Sequence, residues 1–128
     1  MKLLLDTCTF LWLITSSPKL SKKAAKSFLN PKNEAFLSLV SVWEIVIKYQ
    51  LGRLPLPESP EALIPRECQV HDIELLPLTQ EDIFELLRLK SLHDDPFDRL
   101  LVCQATVNDM TILTPDREIT DYPVKSAW

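Results

Sequence analysis

Apolar and polar positions alternate between two periods along the chain. Residues 2–5 read as a short strand whose leucines end at Asp6, a run compatible with a buried parallel strand. Thr7 to Ile14 continues as a short helix. After Pro18, Ser21 is placed to cap a second helix that runs to Asn30 and stops at Pro31. Ala35 to Leu37 is a weak second strand. Val42, Ile45, Val46 and Tyr49 then fall at i, i+3, i+4 and i+7, an amphipathic helix closed by Gly52.

Pro55, Pro57, Pro60 and Pro65 punctuate the next stretch, where Glu61 to Ile64 predicts no more than a helical turn in a surface connection. Ile73 to Leu76 predicts a third strand. Thr79 and Asp82 have the spacing of a capping box for a helix to about Leu92. Asp95 followed by Pro96 is a cap acid and a first-turn proline, opening a helix to about Asn108. That helix is apolar on nearly every side after Arg99, as a buried central helix would be. Thr111 to Leu113 predicts a fourth strand. Tyr122 to Val124 predicts a fifth, at an edge because of Pro123.

Strands alternating with helices imply an α/β/α arrangement: a mainly parallel sheet of four or five strands, covered on both faces. Right-handed crossovers place every strand's carboxyl end on one rim, where such sheets bind ligands.

Composition narrows the chemistry. At 128 residues one domain is expected, spanning 1–128. A single glycine excludes both the GxGxxG turn and the P-loop, which need more. Cys8, Cys68 and Cys103 are odd in number and form no CxxC, against a disulfide framework and in favour of a reducing cytoplasm. No run is apolar for the length a membrane span needs, and no convincing signal peptide precedes the first strand. The net charge of −4 argues against gripping DNA or a membrane by bulk positive charge. The charge is uneven, however. Residues 1–53 hold eight basic and three acidic side chains, with Lys19, Lys22, Lys23, Lys26 and Lys32 close together. This is either a solvated helix face or a phosphate-contacting patch.

Four acids map to the predicted rim. Asp6 follows strand one, Asp116 follows strand four, Asp98 lies in the first turn of the buried helix, and Glu44 lies early in the helix after strand two. Carboxylates so close raise one another's pKa unless a cation compensates. Mg²⁺ or Mn²⁺, hard and oxygen-liganded, is the natural compensator and favours phosphodiester hydrolysis. Each acid also has an ordinary reading. Glu44 precedes Lys48 by four residues, the spacing of a helical ion pair. Asp98 answers Asp95 in a cap or complements the helix dipole. Asp116 fits a turn in Thr-Pro-Asp. Asp6, at the end of an apolar strand, is the hardest to explain structurally.

The segments Leu3-Leu4-Leu5-Asp6-Thr7, Ser41-Val42-Trp43-Glu44-Ile45, His93-Asp94-Asp95-Pro96-Phe97-Asp98-Arg99-Leu100-Leu101 and Leu113-Thr114-Pro115-Asp116 resemble the PIN domain. More narrowly, they resemble VapC-type toxins of type II toxin–antitoxin pairs. The Asp-Pro-Phe-Asp-Arg piece is the most specific, and the resemblance covers essentially the whole chain. It implies a metal-dependent endoribonuclease on an α/β/α sandwich, leaving a 3′-hydroxyl and a 5′-phosphate. Asp6, Glu44, Asp98 and Asp116 would then hold Mg²⁺ or Mn²⁺. A homodimer and a small antitoxin that blocks the site are also implied. Asp95 matches a further acid of this branch, either cap or outer support. Arg99 either orients a carboxylate or phosphate, or makes a surface ion pair. Thr7, Ser41 and Thr114 either fix carboxylates and waters or serve as caps.

Other residues read as structural. His93 is expected to end a helix rather than act as a base. Trp12, Trp43, Phe84 and Phe97 are expected in the core, with Trp12 the one candidate base-stacking platform near the rim. Cys8 is expected to be buried. Two rival readings remain at this stage. An aspartyl-phosphate hydrolase would use Asp6 but wants a second acid where Cys8 stands. A PIN module that binds RNA or protein without cleaving would have no need of four acids. A PIN nuclease outside toxin–antitoxin biology is a third possibility.

Overall fold

A computed structural model describes residues 1–128. Five strands form one wholly parallel sheet in the order β3-β2-β1-β4-β5. These are β1 (Lys2–Leu5), β2 (Glu34–Ser38), β3 (Ile73–Leu76), β4 (Thr111–Leu113) and β5 (Ser126–Ala127). Seven helices connect them: α1 (Thr7–Ile14), α2 (Lys22–Leu29), α3 (Leu39–Gln50), α4 (Pro60–Val70), α5 (Gln80–Phe84), α6 (Pro96–Val107) and α7 (Arg117–Thr120).

Strand alternation builds a core on each face. Leu4, Phe36 and Ile112 point to one side, where they pack with α6, α7 and Val40. Leu5, Leu37, Leu113 and Ile73 point to the other, against Phe10, Leu13, Ala24, Ile45, Ile64 and Cys68 from the first four helices. This is the expected three-layer sandwich. In α6 every residue from Leu100 to Ala105 is buried, as its all-round apolar sequence predicts.

Four local expectations are corrected. The segment after Ser59 is a full helix through Pro65 rather than a turn. An internal proline costs a helix about 3 kcal/mol, and burial of Leu63, with packing of Ile64 and Cys68 against the sheet, offsets it. The capping box of Thr79 and Asp82 forms, but α5 stops at Phe84 and a 3₁₀ turn ends at Arg88, short of Leu92. The fifth strand lies at Ser126–Ala127, because Tyr122 is buried against α6 and α7 instead of pairing. Cys8, Trp43 and Phe84 are exposed rather than buried.

The chain reverses direction in the sheet beside β1. From β1 it moves outward to β2 and β3, then returns to the other side with β4 and β5. The rim between the carboxyl ends of β1 and β4 is therefore the switch point where ligands bind in such sheets.

Candidate active site at the sheet rim

All four predicted acids reach this rim, each placed by a local rule. Asp6 is the N-cap of α1 and accepts from Thr9 N–H at 2.7 Å. Asp116 is the N-cap of α7 and accepts from Glu118 N–H at 3.0 Å. Asp98 sits in the first turn of α6, capped by Asp95, which accepts from the N–H groups of Phe97 and Asp98. Glu44 lies on the buried side of α3. Capping thus explains why acids stand at three helix starts, and the topology explains why those starts meet.

Hydroxyls hold the carboxylates. Thr114 Oγ1 donates to Asp6 Oδ2 at 2.5 Å and accepts from Asp116 N–H at 3.0 Å. Thr7 Oγ1 lies 2.6 Å from Glu44 Oε1 and 3.0 Å from Ser41 Oγ. One hydroxyl proton cannot serve both, and the carboxylate is the stronger acceptor. The other oxygen of Glu44 pairs with Lys48 Nζ at 2.5 Å. The helical ion pair and the rim position therefore coexist in one residue. Ser41, Thr7 and Thr114 are all buried here.

The electrostatics record the crowding. Asp98 is pushed up to about 8, by burial first and then by Asp95, Asp116, Glu44 and Asp6. The Asp6 carboxyl is also raised, by burial, against the opposing bonds from Thr114 and Thr9, with Asp116 adding to the rise. Lys48, itself held charged by its bond to Glu44, is the cation paired with the cluster. Arg99 makes no ion pair and its buried Nε has no partner, so of its alternatives neither the carboxylate contact nor the surface ion pair is formed. Asp95 works as a cap whose charge adds to the load on Asp98.

Sequence reasoning underrated two residues. A nitrogen of His93 and carboxylate oxygens of Asp98 and Glu118 lie within 4.8 Å of one another. His93 Nε2 bonds the Glu118 carbonyl oxygen at 2.8 Å, and Nδ1 accepts from Asp95 N–H at 3.1 Å. These bonds define a neutral ring protonated at Nε2. They tie the start of α6 to α7, and so Asp98 to the helix that Asp116 caps. With both nitrogens engaged, His93 positions the acids rather than joining them as a ligand. Its signal was the His-x-Asp-Pro spacing before the cap; Glu118 had none.

The donor set fits a hard divalent cation. It consists of carboxylate oxygens, and the Asp6 and Asp98 carboxyls are both driven toward protonation, by burial first and then by neighbouring acids.

The PIN domain family model matches residues 3–125, and the chain belongs to that family. A 40-residue stretch is 45% identical to Ribonuclease VapC16 of Mycobacterium tuberculosis, covering 29% of this chain and 28% of that protein. The matched stretch thus spans little more than a quarter of that relative. Among solved structures, VapBC2 from Rickettsia felis, bound to a promoter DNA fragment, superposes with a TM-score of 0.75 at 16% identity, over 99% of this chain and 98% of that one. DNA-bound VapBC from Salmonella typhimurium gives 0.70 at 20% identity, over 99% and 97%. At those identities the likeness establishes the shared fold.

Proposed function

We propose that the protein is a metal-dependent endoribonuclease, the toxin of a type II toxin–antitoxin pair, with Asp6, Glu44, Asp98 and Asp116 holding Mg²⁺ or Mn²⁺. The observation that carries this reading is the placement of four acids at one rim of the sheet, where burial first and the neighbouring acids second push the Asp98 carboxyl up to about 8. Membership in the PIN family and the local identity to a VapC ribonuclease support RNA as the substrate. When bound, a divalent ion supplies charge to the phosphoryl oxygens and lowers the pKa of water.

The chain's own residues have separate tasks in this scheme. Thr114 and Thr7 fix the directions of the Asp6 and Glu44 carboxylates. Lys48 balances part of the negative field and is half-exposed, within reach of a phosphate. His93 and Asp95 set the angle at which Asp98 enters.

A small antitoxin and a second copy of the chain are the proposed protein partners. Leu39 and Trp43 on α3, and Phe84 and Leu87 from α5 and the following turn, leave an apolar surface exposed for such contacts. No helix is long and apolar enough to cross a membrane, and the cytoplasm is the proposed compartment. Incubation of a mixed RNA pool with Mg²⁺, Mn²⁺ or EDTA, with product ends mapped, tests the reading. Cleavage with either metal and none in EDTA is expected; cleavage undiminished by EDTA would refute it.

A further inference from the structure

Trp12, Trp128 and Lys19 form a surface beside the acids that the site as described does not use. The two indoles stand edge to face, with centroids 5.7 Å apart at 64°. Lys19 Nζ lies 5.9 Å from the Trp12 ring centroid, the one cation–π contact in the chain. Trp128 packs on the core behind it, whereas Trp12 belongs to neither core. Both rings are half-buried, so each keeps an accessible part.

Two independent connections lead from this surface toward Asp6. Cys8 and Trp12 are four apart on α1 and so share one stripe, about 5–6 Å between their Cβ atoms. Helical side chains lean toward the N-terminus, which brings the Trp12 ring toward Cys8. Cys8 is exposed, and Asp6, Glu44 and Asp116 all act on its thiol. From the other side, Trp128 follows Ala127, whose carbonyl accepts Thr114 N–H at 3.0 Å. Thr114 is the residue whose hydroxyl holds Asp6.

We propose that Trp12, backed by Trp128 and flanked by Lys19, is a subsite that stacks a base of single-stranded RNA close to the scissile phosphate. This rests on the nuclease reading and adds a substrate contact to it. Bases stack on aromatic side chains whatever their identity, and a lysine alongside meets the adjoining phosphate. Lys22, Lys23 and Lys26 continue the exposed positive charge from Lys19 along α2. An anionic strand with π faces matches that combination. The exposed apolar residues of α3 and α5, which have no such lysine row, are the better match for a protein.

The test compares steady-state cleavage of short single-stranded RNAs by wild type, Trp12→Ala, Trp12→Phe and Lys19→Ala, with Trp43→Phe as control. Trp12→Ala is expected to raise KM about tenfold or more with kcat within about twofold, and Trp12→Phe to recover most of the loss. Lys19→Ala, at an exposed position, is expected to raise KM and reduce the salt slope by about one. In a Trp43→Phe, Asp6→Asn background, RNA should quench the emission of the remaining tryptophans, and Trp12→Ala should remove most of that quenching. Unchanged KM in a folded Trp12→Ala, or unchanged KM and salt slope in Lys19→Ala, overturns the subsite while leaving the nuclease intact. Loss of binding to a protein partner with RNA binding unaltered assigns the surface to that partner and also overturns it. Quenching by RNA without cleavage by wild type instead overturns the nuclease reading, and with it the placement beside a scissile phosphate, leaving only an RNA-binding surface.

Discussion

Thr114 Oγ1 stands 2.5 Å from Asp6 Oδ2 and accepts from the Asp116 N–H at 3.0 Å, so one hydroxyl joins the carboxyl ends of β1 and β4. Two candidate metal ligands thus share a single fixed point. Thr114→Val keeps the shape and removes both bonds. It is expected to cost about 1–3 kcal/mol of stability, read by urea unfolding, and to cut cleavage more than tenfold, on the order of an outer support at a metal site. Thr114→Ser should restore both. A fully active, fully stable Thr114→Val would show that Asp6 needs no anchor.

Asp98 and Asp6 have pKa values raised above their unfolded value near 4. Between about pH 4 and about pH 8 the native state therefore binds more protons than the unfolded chain. Stability of the metal-free protein is present in full at the acid end of that window and falls as pH rises through it. Solvent screening of the partly exposed Asp98 reduces the effect, leaving an expected fall in Tm of roughly 2–5 °C from pH 5.5 to 8.5. Mg²⁺ or Mn²⁺ should raise Tm more at the alkaline end, and Asp98→Asn should flatten the metal-free profile. A Tm that rises with pH in EDTA would contradict the assigned crowding.

Lys48 pairs with Glu44 at the edge of the cluster and so competes with any cation there. Lys48→Ala is expected to tighten Mn²⁺ binding about two- to fivefold, the scale of a partly exposed ion pair. The same change should raise KM for RNA. Calorimetric titration with Mn²⁺ gives the first number; weaker metal binding would show that Lys48 supports the site rather than balancing it.

His93 joins Asp95 N–H to the Glu118 carbonyl oxygen. His93→Ala is expected to weaken Mn²⁺ binding roughly tenfold by loosening the angle of Asp98, with little change in Tm because the ring is partly exposed. Calorimetry beside a thermal melt separates the two. Equal metal affinity would confine His93 to the local turn.

Much of this site was legible from local rules. Asp95 was legible as a cap, whereas Asp116 fitted a turn and Asp6 was the hardest to explain structurally, yet both are N-caps as well. The strand–helix alternation then set three of those starts on one rim. Glu44 was legible as an ion pair with Lys48, and that pair coexists with its buried place at the rim. What escaped was set by tertiary contact. Trp43 carries the residue type of a core position, yet the helix turns it outward beside Phe97, 5.0 Å away. Tyr122 has the propensity of a strand, but its burial beside His93 displaces β5 to Ser126–Ala127. Pro65 looked like a stop signal, and packing overrode it. Arg99 depended on side-chain direction, which spacing does not encode.

The central claim is that the four rim carboxylates hold a divalent cation for RNA cleavage. Its most direct test is Mg²⁺-dependent cleavage of one mapped RNA by wild type, Asp6→Asn and Asp98→Asn, each with an unchanged circular dichroism spectrum. A loss of about a hundredfold or more in both variants is expected, the scale of removing a key electrostatic group. Wild-type rates from both folded variants would contradict the claim.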